Sequence, residues 1–175
     1  MQDIELEQAV EVLLAHTQPV SETEHVPLLD AMGRVAAEDV CAGFDNPPFD
    51  RSPLDGYTFA AASTHGASAE NPATLRLIGE ECAGDFFAGQ VGAGECVRIM
   101  TGGAIPKGCD CVVRQEDVRE DGDRIHVPFT SEPYENYCYA GEDIKKGTVL
   151  IRRGQRIHAA HLAVLASEGY GDVLV

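Results

Sequence analysis

No lysine or arginine precedes Arg34 in this 175-residue chain, and 13 basic residues face 29 acidic ones, for a net charge of −16. Affinity for a nucleic-acid backbone comes from cations that displace counterions, so this balance excludes nucleic acid as a partner and disfavours an anionic membrane surface. No apolar run approaches the ~18 residues that a membrane-spanning helix requires. The opening residues, with Asp3, Glu5 and Glu7, lack the positive start and apolar stretch of a secretory leader, and a cytoplasmic protein is expected. The glycine patterns G-x-x-x-x-G-K-[ST] and G-x-G-x-x-G are missing too, so neither common nucleotide-binding loop is present.

A zinc centre also lacks its residues. Six cysteines stand at 41, 82, 96, 109, 111 and 138. Cys109-x-Cys111 with one distant His126 has neither the spacing nor the second pair of a zinc site, so no metal ligands are assigned. Without a secretory leader the six are expected to be unbridged thiols packed as small apolar groups.

What is present reads as folded protein, with 44% hydrophobic residues over a length that suits one domain or two small ones. Leu6, Ala9, Val10, Leu13 and Leu14 fall on one face of a helix over residues 4–16, with Asp3 as its N-cap and Pro19 just beyond its end. A second helix is predicted from His158 to Ser167, closed by Gly169, and short helical turns near Leu28–Met32 and Thr58–Ser63. Between the helices, most of the 18 glycines and 9 prolines punctuate short runs of Val, Ile, Thr, Phe and Cys. That texture predicts strands at Val35–Ala42, Ala73–Glu80, Glu95–Ile99, Cys111–Gln115, Arg124–His126 and Thr148–Ile151, with a tight turn at Gly122-Asp123. Pro47-Pro48 and Gly141 bracket the strand-rich part, which predicts a β-rich unit over 46–140 inserted into a unit built from 1–45 and 141–175. The final Asp172-Val173-Leu174-Val175 reads as a strand that stops on an apolar residue without a solvating tail, as in a piece of a longer protein.

Four stretches carry chemistry. Pro47 to Tyr57 sets Asp50, Arg51, Ser52 and Asp55 on a loop stiffened by prolines, although a turn at Asp55-Gly56 would use the same residues. Arg98 to Pro106 runs a strand into the bend Thr101-Gly102-Gly103, where exposed N–H groups beside a hydroxyl could cradle an oxyanion or simply turn a hairpin. Cys109 to Asp117 reads as a strand followed by Glu116 and Asp117. Gly141 to Gly147 places Glu142 and Asp143 before Lys145 and Lys146, and with Arg152, Arg153 and Arg156 holds five of the 13 basic residues; a phosphate contact and a solvated, charge-paired hairpin both fit.

In order, these stretches resemble the N-terminal region of the MoeA and gephyrin E-domain family of molybdopterin molybdenumtransferases. The pattern Pro-Pro-Phe-Asp-x-Ser-Ala-Met-Asp-Gly-Tyr-Ala corresponds to Pro47–Thr58, and Arg-Ile-Met-Thr-Gly-Ala to Arg98–Gly103. Pro-x-Gly-x-Asp-x-Val-Val corresponds to Pro106–Val113, and Gly-Glu-Asp-Ile stands unchanged at Gly141–Ile144. The resemblance implies an α+β, β-rich fold in which an elongated α/β domain carries an inserted β-barrel-like domain, and further C-terminal domains in the whole protein. It implies insertion of molybdate into adenylated molybdopterin with Mg²⁺ in a cytoplasmic homodimer, with a molybdopterin adenylyltransferase as a further partner. Carried over by position, Asp55, Thr101 and Asp143 would be catalytic, and Ser52, Gly102, Glu116 and Glu142 would bind substrate.

The chain departs from the family at Asn136-Tyr137-Cys138-Tyr139-Ala140, where relatives carry Asn-Ile-Arg and further basic residues and this sequence has no positive charge. This leaves room for a non-catalytic scaffold or dimerisation module of the same fold. A small hydrolase built on Asp50 and Asp55 would lack a nucleophile, a base and an oxyanion site set together. The piece alone is expected to be inactive.

Overall fold

A computed structural model describes residues 4–175; Asp3, the expected N-cap of the first helix, lies outside the described residues. In chain order the elements are α1 (Leu6–His16), β1 (His25–Pro27), β2 (Val40–Cys41), β3 (Gly56–Phe59), β4 (Ala73–Glu81), β5 (Glu95–Ile99), β6 (Cys111–Arg114), β7 (Arg119–Asp121), β8 (Arg124–Val127), β9 (Val149–Ile151), α2 (Ala159–Ser167) and β10 (Asp172–Leu174). Turns of 3₁₀ helix occupy Leu28–Ala31, Ala61–Thr64 and Gln115–Asp117. The fold is α+β and β-rich. Two compact units divide it, one formed by the chain up to Val40 together with Ile151–Val175, the other by Cys41–Leu150.

In the first unit, β10 pairs antiparallel with β1, setting Val26 opposite Val173, both buried. Glu24 and Val175 extend the ladder with reciprocal N–H to carbonyl bonds of 2.9 Å. Helix α2 ends as its glycine demands: Gly169 takes φ +82°, its N–H donates to Ala166 and the Tyr170 N–H reaches back to Leu165. Helix α1 forms where the periodicity predicts it, yet no residue of it is buried, and Leu6, Leu13 and Leu14 all face solvent. The expected strand Val35–Ala42 shortens to β2. Its backbone donors go to different places, Ala36 to Gln155 and Ala37 to Leu174, so no single partner strand can run along it.

The second unit is one open, curled six-stranded sheet in the order β6-β3-β5-β4-β8-β7. All its pairings are antiparallel except β4 with β5. The interior strand β3 takes the first residues of the helical turn expected at Thr58–Ser63. All four of its residues are buried, so it lacks the alternation that marks a half-exposed strand, and helical geometry begins only at Ala61. Tyr57, Phe59, Leu75, Cys96, Cys111, Val113, Ile125 and Val127 close the core, with Leu77, Val118 and Phe129 packed on its margin. Residues 41–45 and 141–150 group with this unit, held by the Asn46 N–H to Ile144 at 2.8 Å and the Ala42 N–H to Thr148 at 2.8 Å. Among the described residues no helix is long and apolar enough to cross a membrane.

No disulfide joins the six cysteines, and burial pushes the thiols of Cys96 and Cys111 up to about 12. Cys82 corrects the expectation that all six pack as apolar groups, because it stands exposed after β4.

Gly56 starts β3 so close to β6 that a Cβ would fall 1.9 Å from the Val113 carbonyl oxygen, whereas one at Gly43 meets nothing within 4 Å. Gly56→Ala should therefore lower unfolding free energy by more than about 3 kcal/mol and Gly43→Ala by less than about 1 kcal/mol, as read from urea midpoints.

Candidate functional site

The segment Asp50–Asp55 is fixed on both sides by backbone hydrogen bonds. Arg51 and Cys138 exchange N–H to carbonyl bonds at 2.9 and 3.1 Å. The Ser52 N–H donates to Gly103 at 2.9 Å and the Gly102 N–H returns to Ser52 at 2.8 Å, while the Ile105 N–H donates to the Asp50 carbonyl at 2.9 Å. The Gln115 N–H donates to the Asp55 carbonyl at 3.2 Å. Three stretches distant in sequence are thereby drawn onto one loop whose prolines limit its conformers.

At the exposed end of this loop Asp55 Oδ1 accepts two bonds from Thr101, one from its N–H at 2.7 Å and one from its hydroxyl at 2.8 Å. The N–H, then the hydroxyl and more weakly the Arg98 guanidinium hold the Asp55 carboxyl below its ordinary value, against a small opposing effect of burial. Arg98 is steadied by Glu80 at 3.9 Å and Gln115 at 3.4 Å.

Of the two readings of the glycine bend, an oxyanion cradle or a simple turn, the geometry is that of the turn. The Gly102 and Gly103 N–H groups donate within the fold, to Ser52 and Met100 at 2.8 Å each, and both Thr101 donors are held by Asp55. Gly102 takes φ +85°, which supplies the sharp bend rather than donors for a ligand. Ser52, expected at the substrate surface, is 1% exposed, and its hydroxyl donates to the Leu54 carbonyl, so it shapes the loop from within.

Glu142 and Asp143 stand on a second rim. Asp143 faces Arg51 at 3.8 Å, and Glu142 accepts from the Tyr139 N–H at 3.0 Å. The expected charge pairing within Gly141–Gly147 is not what forms, since the partner of Asp143 comes from the Asp50 loop. Glu116 is exposed in the 3₁₀ turn after β6 and lies 3.7 Å from Arg114. The structure thus joins Asp55, Thr101, Gly102 and Ser52 in one cluster and Asp143 and Glu142 in another, both tied to the Asp50 loop. Glu116 adjoins the first through Gln115.

Sequence reasoning did not single out Asp50, Arg51 and Tyr137 as a group. Asp50 accepts from the Tyr137 hydroxyl at 2.6 Å and the Ala140 N–H at 2.8 Å. Burial and that carboxylate push the Tyr137 phenol up. The rings of Tyr134, Tyr137 and Tyr139 lie 5.0–5.7 Å apart in mutual contact. The available signal was the run Asn136–Ala140, which holds two tyrosines and no positive charge.

Solved structures share this α+β, β-rich fold. The molybdopterin biosynthesis moeA protein from Pyrococcus horikoshii OT3 superposes with a TM-score of 0.90 at 40% identity, over 97% of this chain and 45% of that one. The family model described as MoeA N-terminal region (domain I and II) matches residues 4–169. Among curated relatives, the molybdopterin molybdenumtransferase of Staphylococcus aureus (strain Mu50) is 40% identical over 86% of this chain, and that of Bacillus subtilis (strain 168) 39% over 93%. This chain belongs to the MoeA N-terminal region family, and it spans 36% and 39% of the lengths of those two relatives.

Because the Thr101 N–H contributes most to the lowered carboxyl and the hydroxyl next, Thr101→Val should move the Asp55 titration upward while leaving it below 3.8. The sign follows from linkage: the bonds favour folding above the ordinary carboxyl value and are lost as pH falls through the depressed one. Carbon-detected NMR titration of the Asp55 carboxyl checks it.

Proposed function

We propose that this chain is the N-terminal part of a molybdenum insertase, a molybdopterin molybdenumtransferase that transfers molybdate to adenylated molybdopterin during molybdenum cofactor biosynthesis. The observation that carries the reading is the Asp55–Thr101 pair, in which a carboxylate of the first motif is held by two donors of the second. The names and lengths of the relatives support it. In this reading Asp55, Thr101 and Asp143 are catalytic, Glu116, Glu142 and Gly102 border the substrate, and Ser52 holds the loop that presents them. Arg51 orients Asp143.

Thr101 turns its hydroxyl toward an oxyanion only by releasing Asp55, while its N–H keeps the carboxylate in place. The pair therefore has two hydrogen-bonded arrangements, one internal and one that offers a donor. Every proposed substrate is an anion and the chain carries −16. Fixed positive charge must then come from the rest of the whole protein, which makes the isolated piece inactive. Mg²⁺ belongs to the expected chemistry, yet among the described residues no group of three or more His, Cys, Asp or Glu is arranged to hold a metal ion. The same reading includes a cytoplasmic homodimer served by a molybdopterin adenylyltransferase. The absence of basic residues at 136–140 favours, as the second reading, a non-catalytic scaffold or dimerisation module of this fold.

In the full-length protein, Asp55→Asn and Thr101→Ala should each lower the molybdenum insertion rate by about tenfold or more with the thermal midpoint little changed, and residues 1–175 alone should give no insertion. Full activity in both variants would remove the pair from the site and favour the scaffold.

A further inference from the structure

Three tyrosines that serve neither the core nor the Asp55–Thr101 pair stand together on the loop 134–139. The ring centroids of Tyr134, Tyr137 and Tyr139 lie 5.0–5.7 Å apart, and their planes meet at 38–90°. Tyr137 is tied down by its hydroxyl, which donates to Asp50 at 2.6 Å. Tyr134 and Tyr139 are 56% and 47% exposed.

The backbone holds Tyr134 in that position. Its N–H donates to the Asp110 carbonyl at 2.6 Å, the Val112 N–H donates to the Glu135 carbonyl at 3.0 Å, and the Asn136 side-chain amide donates to the Val112 carbonyl at 2.9 Å. These bonds fasten the loop along β6, the edge strand of the sheet. Asn136 takes φ +50° and Tyr134 φ +64°. Asparagine enters this region readily, whereas a tyrosine does so at a conformational cost that glycine would avoid. An exposed ring kept in a costly conformation adds nothing to the core, and a contact made outside the chain is what offsets that cost.

Charge decides the kind of contact. Between Arg124 and Lys145 the chain has no lysine or arginine, and the exposed Glu132, Glu135 and Glu142 stand on the same stretch as the rings. Glu142 accepts from the Tyr139 N–H at 3.0 Å, which sets its carboxylate beside that residue. Arg51, on the adjoining loop, is already turned to Asp143 at 3.8 Å. The faces of aromatic rings are negative, so rings and carboxylates together repel an anion and attract a cation. A guanidinium suits both, because its plane stacks on a ring while its edge donates to a carboxylate. An ammonium is compact and more strongly hydrated, and it has no plane to stack.

We propose that Tyr134, Tyr137 and Tyr139 form a docking platform for a basic, arginine-bearing peptide segment of a partner protein. Its arginine side chains lie on the exposed rings of Tyr134 and Tyr139 and pair with the neighbouring glutamates. Asp55 and Thr101 take no part in this contact.

The test is calorimetric titration of the 175-residue chain, at physiological ionic strength, with blocked hexa-arginine and blocked hexalysine peptides. Saturable binding of hexa-arginine is expected, tighter than that of hexalysine by about fivefold or more. The double variant Tyr134→Gly, Tyr139→Ala keeps the net charge at −16. Its thermal midpoint should hold or rise, because glycine suits φ +64°, while its affinity for hexa-arginine falls by about fivefold or more and comes level with that for hexalysine. Absence of hexa-arginine binding overturns the proposal, as does undiminished binding by the folded double variant. Equal binding of the two peptides by the unaltered chain overturns it too, since that is the general attraction of an acidic protein for any polycation. Self-association of the unaltered chain in sedimentation that the double variant lacks, without a preference for hexa-arginine, overturns it in favour of a contact between two copies. These experiments read binding rather than turnover, so they can fail while insertion by the full-length protein still depends on Asp55 and Thr101.

Discussion

The reciprocal backbone pairing of Ser52 with the glycine bend is the constraint on which the acidic rim depends. The two bonds, 2.9 Å to the Gly103 carbonyl and 2.8 Å from the Gly102 N–H, fix the loop against the end of β5. Gly102 reaches φ +85° without the strain a Cβ would bring, and that conformation turns Thr101 onto Asp55. The Arg51–Cys138 exchange then holds the second acidic loop to the same segment. Because these are main-chain bonds, the arrangement tolerates variation in the side chains around it.

The electrostatics of the rim follow from that framework. Asp55 stays ionised because donors face it, while Asp143 shares the only guanidinium on the Asp50 loop. The donors of the glycine bend are consumed by the fold, so anion affinity at this rim depends on charge that the described residues do not gather there. The tyrosine contacts around Asp50 bring no positive charge to it.

Much of the framework was legible in the sequence because it is written in short-range chemistry. Gly122-Asp123 turns β7 into β8, Gly169 closes α2, and the strands at 73, 95, 111 and 124 begin where the turn residues end. β3 was not legible, since a strand buried on both faces has no period of two. For α1, periodicity states which residues share a face, not whether anything covers it, and no residue of the helix is buried. At the site, motif order brought Asp55, Thr101 and Asp143 forward. The internal use of the Gly102 and Gly103 donors and the burial of Ser52 and Glu81 depend on contacts between distant segments, which no local pattern encodes.

Native-state hydrogen exchange of the Arg51, Ser52, Gly102 and Cys138 amides tests the central claim most directly, because all four donate to backbone carbonyls in the locked arrangement. The account predicts that they are protected together, with opening free energies close to those of the β3 amides. Exchange of the Ser52 and Gly102 amides at open-loop rates, while the β3 amides stay protected, would contradict it.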